Sequence, residues 1–236
     1  MDLQKFCDNK RAVVGYGGAW MYKDPSAGET LYHLLIPTDN VPFVNGTVDT
    51  FEIDSLNCRS KGMAEGKESL EQKDVEYMSH RDNVKRIEDL EGKVLDFLSL
   101  DKNYMGRIYS GTLKSRPNDI TAEVNRATVT ITPLSARSKT EMNCLPLIQD
   151  TLWFASEIPD KLYMGASDSA KTIDAKVDTE EATVKVTYDT EGVVTANWAD
   201  GKLTITPTKA GSAIIYLTAE KSGMASWTTS VLVIVE

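Results

Sequence analysis

Val194-Thr195-Ala196-Asn197-Trp198-Ala199-Asp200-Gly201-Lys202-Leu203-Thr204-Ile205-Thr206 is the stretch that decides the fold class. Apolar and polar residues alternate on both sides of Asp200-Gly201, a dipeptide that tolerates positive φ and lets two strands reverse in a two-residue hairpin. The same period of 2 runs outward from about residue 160 to the end. Val184, Val186 and Tyr188 share one strand face, as do Leu203 and Ile205, then Ile215, Leu217 and Ala219, then Val231, Val233 and Val235. Thr and Lys mostly fill the opposite positions, so one face is core and the other is wet. Turn signals at Asp189 to Gly192, Asp200-Gly201, Ala210-Gly211 and Ser222-Gly223 recur about every 10–12 residues, the beat of a small sandwich.

The whole chain has 236 residues, enough for one large domain or, more naturally, two modest ones. With 41% hydrophobic and 26% charged residues it has globular composition. The 26 Lys and Arg against 35 Asp and Glu give a net charge of -9, the wrong sign for a protein that grips phosphates. The densest apolar run, Val231 to Val235, is far short of the roughly 20 residues of a membrane-spanning helix, so no membrane insertion is expected. The start, Met1-Asp2-Leu3-Gln4-Lys5-Phe6, lacks the pattern of a secretory signal, which makes the cytoplasm the expected compartment of synthesis. Cys7, Cys58 and Cys144 are too far apart for a zinc pattern and odd in number for a disulfide framework; they read as reduced thiols.

The first 155 residues follow another pattern. β-like stretches fall near 11–22, 29–36, 46–55 and 68–78. A short amphipathic helix follows, with Asp82 as N-cap, Val84, Ile87 and Leu90 on one face and Gly92 at its end. Val94 to Leu100, Arg107 to Leu113 and Ile120 to Pro133 then read as strands. Residues 54–67 are polar, contain two glycines and read as a long loop, of the length that is usually functional. Pro159-Asp160 marks the exit to the second domain, which predicts domains 1–158 and 159–236.

No chemical motif survives inspection. Gly15-Tyr16-Gly17-Gly18 has Trp20 where a dinucleotide fingerprint needs its third glycine, and no helix follows. Gly62-Met63-Ala64-Glu65-Gly66-Lys67-Glu68 is one residue short of a phosphate loop and puts a carboxylate where Ser or Thr must hold magnesium. His33 and His80 lack ligand-spaced partners, Glu52 and Asp54 alternate with Phe51 and Ile53 as the solvated side of a strand, and Asn45-Gly46-Thr47 reads as a turn. No catalytic, metal-binding or cofactor-binding residue is expected.

Two resemblances organise the rest. Gly192-Val193-Val194-Thr195-Ala196, followed by Ala210-Gly211-Ser212-Ala213-Ile214-Ile215, resembles the bacterial immunoglobulin-like domain of group 2, over about residues 165–236. That resemblance implies a seven-strand sandwich. The order of elements in residues 1–155 resembles the tail tube (major tail) protein of long-tailed bacteriophages. It is carried by Phe51-Glu52-Ile53-Asp54 before the polar loop, the single helix, Arg107-Ile108-Tyr109-Ser110-Gly111-Thr112-Leu113, Asn118-Asp119-Ile120-Thr121-Ala122 and the strand Ala127 to Pro133. An immunoglobulin-like domain at the C-terminus is often found in such proteins.

The resemblance implies a mainly β protein: two packed antiparallel sheets (a tail-tube β-sandwich or barrel) with one flanking α-helix, plus the C-terminal sandwich. It implies a structural virion protein whose copies form hexameric rings, stacked into the tube through which DNA is ejected without specific binding. Its partners would be itself and the tape-measure, tail-tip and terminator proteins of a virion assembled in the host cytoplasm. Within the polar loop, Arg59, Lys61, Met63, Glu65 and Lys67 become the candidate contacts to an adjacent subunit. Both halves are mildly acidic, residues 160–236 holding 11 acids and 7 bases, and acidic walls would keep DNA from sticking. The second domain is expected to project outward, with weak contact to host-surface glycan as one use; Trp198 and Trp227 could serve it, though tryptophan is buried on average and both read first as core. The competing reading is a monomeric β-sandwich adhesin or carbohydrate-binding protein.

Overall fold

The computed structural model describes residues 18–36, 38, 41–42, 46–53, 62–117, 126–134 and 139–236. The chain is mainly β, with antiparallel sheets and, among the described residues, a single α-helix. It divides into two compact units, Met1–Ile148 and Gln149–Glu236.

In the first unit the strands are β1 (Ala19–Lys23), β2 (His33–Leu34), β3 (Gly46–Ile53), β4 (Gly62–Leu70), β5 (Lys73–Met78), β6 (Leu95–Leu100), β7 (Gly106–Pro117), β8 (Arg126–Pro133) and β9 (Lys139–Glu141). Seven form one sheet in the order β2-β1-β6-β7-β8-β5, with β9 beside the start of β7. Among the described residues, strands β3 and β4 pair only with each other. An isolated bridge between Thr38 and Tyr77 ties the chain just past β2 to β5, so the two ends of the sheet order are brought together.

Pleating sends Trp20, Tyr22, Val75, Tyr77, Leu95, Phe97, Tyr109, Leu113, Val129 and Ile131 to one face, where they form a single core with Ile87 and Leu90. Those two come from helix α1 (Arg81–Leu90), whose partly buried Val84 completes the expected apolar stripe. The N-cap is His80 rather than Asp82. His80 is extended, its Nδ1 accepts the Asp82 amide at 3.4 Å, and its carbonyl accepts the Val84 amide, so the helix begins one residue before Asp82. Gly92, at φ +78°, follows the helix end as the sequence predicts.

The expectation of a loop over 54–67 fails for its second part. Gly62 to Lys67 belong to β4, paired antiparallel with β3 from Gly46↔Leu70 to Ile53↔Gly62; residues 54–61 lie outside the described residues. Polar Gly-rich sequence hid this strand, because alternation is legible only where one face is apolar.

The second unit holds β10 (Lys161–Met164), β11 (Lys171–Asp174), β12 (Thr183–Tyr188), β13 (Val194–Ala199), β14 (Lys202–Pro207), β15 (Gly211–Glu220) and β16 (Trp227–Val235). These make a four-stranded sheet, β10-β16-β15-β12, and a three-stranded sheet, β11-β14-β13, antiparallel except for β10 with β16. Leu203 and Ile205 of one sheet meet Ile215, Leu217, Val231 and Val233 of the other in one core. This is a seven-strand sandwich. The Asp200-Gly201 turn closes β13 on β14 with φ +51° and +75°, and Trp198 pairs with Leu203 as read from the sequence.

The division between units falls ten residues before the predicted 158. Leu152 donates its amide to the Ala225 carbonyl, Trp153 packs at a tilt against Trp227 with ring centroids 4.2 Å apart, and Phe154 bridges Val177. Residues 149–158 are therefore part of the second core, a role that Pro159-Asp160 masks in the sequence.

Candidate assembly surface

The hairpin of β3 and β4 is the most unusual element of the first unit. Eight and nine residues long, it extends roughly 26–30 Å at the usual rise per residue. Among the described residues it joins no third strand. A two-stranded ribbon is marginal in water without further strands or a surface to pack on, and its edges suit a partner. Between the pairs Val48↔Glu68 and Thr50↔Glu65, Gly66 and Lys67 oppose Asp49 alone, a bulge that adds local twist.

Three of the five predicted contact residues fall on this ribbon. Met63 lies opposite Glu52, Glu65 opposite Thr50, and Lys67 sits in the bulge. Arg59 and Lys61 lie outside the described residues, as do Gly15 to Gly17, Asn45 and Asp54. Glu52 is on β3.

The polar groups of the main sheet are engaged in holding the fold. In the core, Trp20 Nε1 donates to Tyr109 Oη at 3.1 Å, and the Ser99 hydroxyl lies 3.4 Å from the same oxygen while donating to the Pro42 carbonyl. Burial pushes the Tyr109 phenol up to about 12, which keeps it neutral. Asp24 caps a 3-10 turn over Pro25–Ala27 by accepting from the amides and hydroxyl that follow, and the Ser26 hydroxyl is the main reason its carboxyl titrates below the ordinary range. Glu29 accepts both the Asp24 amide and His33 Nε2, at 2.6 and 3.1 Å. Desolvation against Tyr22 lowers the His33 pKa despite that carboxylate. Cys144 is buried behind the sheet, and burial pushes its thiol up to about 11, the opposite of an activated nucleophile. Among the described residues no group of three or more His, Cys, Asp or Glu is arranged to hold a metal ion.

In the second unit, Trp227 is buried, whereas Trp198 is half-buried. It lines a cleft of about 430 Å³ between the 176–182 loop and the Asp200-Gly201 turn. Its indole nitrogen donates to the Ala175 carbonyl at 2.8 Å, which fixes the ring. Asp178, Glu180, Glu181 and Asp200 also line the cleft, facing only Lys176 as an opposite charge. Sequence reading named Trp198 but missed the loop across from it, because residues 176–182 approach β13 only through the tertiary fold.

No helix among the described residues is long and apolar enough to cross a membrane. No protein-family model matches the chain, and no curated protein matches it in sequence.

Proposed function

We propose that the chain is a structural assembly protein, a subunit of a phage-type tail tube that forms hexameric rings and stacks them, and that it performs no catalysis. The observation that carries this reading is the β3–β4 ribbon, which among the described residues pairs with no strand of the seven-stranded sheet and so suits a partner surface. Met63, Glu65 and Lys67 would contact the adjacent subunit from β4. Supporting it are a mainly β first unit with one helix on the core face and a separately cored seven-strand sandwich after it. DNA would pass through the lumen past a protein of net charge -9. Tape-measure, tail-tip and terminator proteins would bind the ends of the tube, and the virion would be its final location.

In this reading the second unit is an attachment rather than a building block, since its core is its own. The Trp198 cleft suits weak contact with a saccharide ring, and this is the observation that favours the monomeric carbohydrate-binding alternative.

Electron microscopy of the purified chain, with light scattering across concentration, tests the proposal. Hollow tubes or stacked six-fold rings are expected. A monomer at every concentration, even with a tail-tip nucleus added, would reject the tube reading in favour of the carbohydrate-binding one. Replacing residues 47–69 with a short Gly-Ser turn should leave a folded chain that forms no rings.

A further inference from the structure

The helix-free face of the seven-stranded sheet is not uniform. Over β1, β6 and the start of β7 it is roofed: Met21, Leu98 and Leu100 are buried there, and a Cβ added to Gly106 would lie 3.0 Å from Cys144 Sγ. Over β5, β8 and the end of β7 it carries charge. The residues opposite the core set are Asp74 and Glu76 on β5, Arg126, Thr128, Thr130 and Thr132 on β8, and Lys114 and Arg116 on β7, and Arg126 pairs with Glu76 at 3.3 Å. The register aligns them in cross-strand rows, Asp74–Thr130–Lys114 and Glu76–Thr128–Arg116. Thr130 donates to Asp74 at 2.6 Å, and Arg116 reaches Asp74 only at the 4.0 Å limit. The Asp74, Glu76 and Arg116 side chains are each more than half exposed.

The acids of β5 and the bases of β7 lie at the two margins of this plate. Among the described residues β5 ends the strand order, and its outer side is bridged to Thr38 at Tyr77. β6 pairs with β7 only as far as Leu95↔Gly111, so among the described residues no strand runs beside β7 from Thr112 to Pro117 on that side; the Gly92 amide meets the Leu113 carbonyl there at 3.4 Å. Here an acidic margin and a basic margin stand at opposite ends of one three-strand plate. Two copies placed side by side in the same sense bring unlike margins together, and repetition of that head-to-tail contact generates a ring.

We infer that the lateral neighbour of this plate is a second copy of the chain, with Asp74 and Glu76 of one copy against Lys114 and Arg116 of the next. This rests on the assembly reading and adds to it the surface and the chemistry. Each margin is about 20 Å long, so the contact is one part of an interface and an ionic one, screened when the Debye length falls from about 8 Å at physiological salt to about 3 Å at 1 M.

The test reverses each margin in the full chain. Asp74→Lys/Glu76→Lys leaves two basic margins, and Lys114→Glu/Arg116→Glu leaves two acidic ones. Each variant alone should need at least tenfold more protein to assemble, by light scattering and electron microscopy, and a 1:1 mixture should assemble near the wild-type concentration. Wild-type assembly at 1 M salt should weaken in the same direction. Circular dichroism checks that each variant is folded; if a reversal unfolds, Lys114→Gln/Arg116→Gln replaces it, with the same tenfold loss expected. Folded variants that assemble like wild type would overturn the inference and leave the assembly reading standing. A wild type that never assembles would remove the assembly reading itself.

Discussion

Substituting Gly111 with Ala is the sharpest test of the sheet geometry. Gly111 is the residue at which β7 changes neighbours, pairing with Leu95 of β6 on one side and Pro133 of β8 on the other. A Cβ there would lie 2.8 Å from the Thr132 carbonyl oxygen, 3.3 Å from Pro133 Cα and 3.4 Å from Thr132 C. All three are backbone atoms, so no side chain can rotate away, and β8 must shift by several tenths of an ångström. Overpacking of this kind costs about 1–3 kcal/mol. For a unit of this size each kcal/mol moves the midpoint by about 2–4 °C, so the first unit should melt about 2–12 °C lower. Gly28→Ala sets the scale of the other mechanism: φ is +76° with nothing within 4 Å, so its cost of about 1–2 kcal/mol is conformational alone. The assay is thermal and urea unfolding of the full chain, with near-ultraviolet circular dichroism to follow the Trp153–Trp227 pair of the second unit separately. A first-unit transition unmoved within about 0.5 kcal/mol, or a shift confined to the second unit, would refute the close approach of β7 and β8.

Further outcomes follow from single groups. Desolvation lowers the His33 pKa, so the unfolded chain binds its proton first; stability should fall as pH drops below about 6.5, and His33→Gln should flatten that slope in urea titrations. Tyr22 and Tyr109 are pushed up to about 12, and Tyr32 and Tyr77 are also raised, all mainly by burial. The unfolded state therefore loses phenolic protons first, and stability should be lost as pH rises from 10 toward 12, with phenolate absorbance appearing together with unfolding. Trp198→Phe removes the donor to the Ala175 carbonyl and should destabilise the second unit by about 1–3 kcal/mol in urea, while leaving the first unit unchanged. His80→Ala removes the helix cap and should cost about 1 kcal/mol, measured the same way in the first unit.

The sequence alone determined whatever depends on neighbours along the chain. The Asp200-Gly201 hairpin, the inward sets of β14, β15 and β16 and the apolar stripe of α1 were all legible, because period 2, period 3.6 and positive-φ dipeptides are local signals. Where local signals competed, sequence reading slipped: His80 took the cap that Asp82 was expected to fill, and Pro159-Asp160 drew the boundary past a segment that Trp153 and Phe154 anchor to the second core. Only tertiary structure decided that Gly62 to Leu70 is a strand paired with Gly46 to Ile53, that the 176–182 loop faces Trp198, and that acids on β5 and bases on β7 occupy opposite margins. Those relations join residues tens of positions apart, and they are set by which strands pair and in what register, a choice made by burial of the whole core rather than by any short stretch of chain.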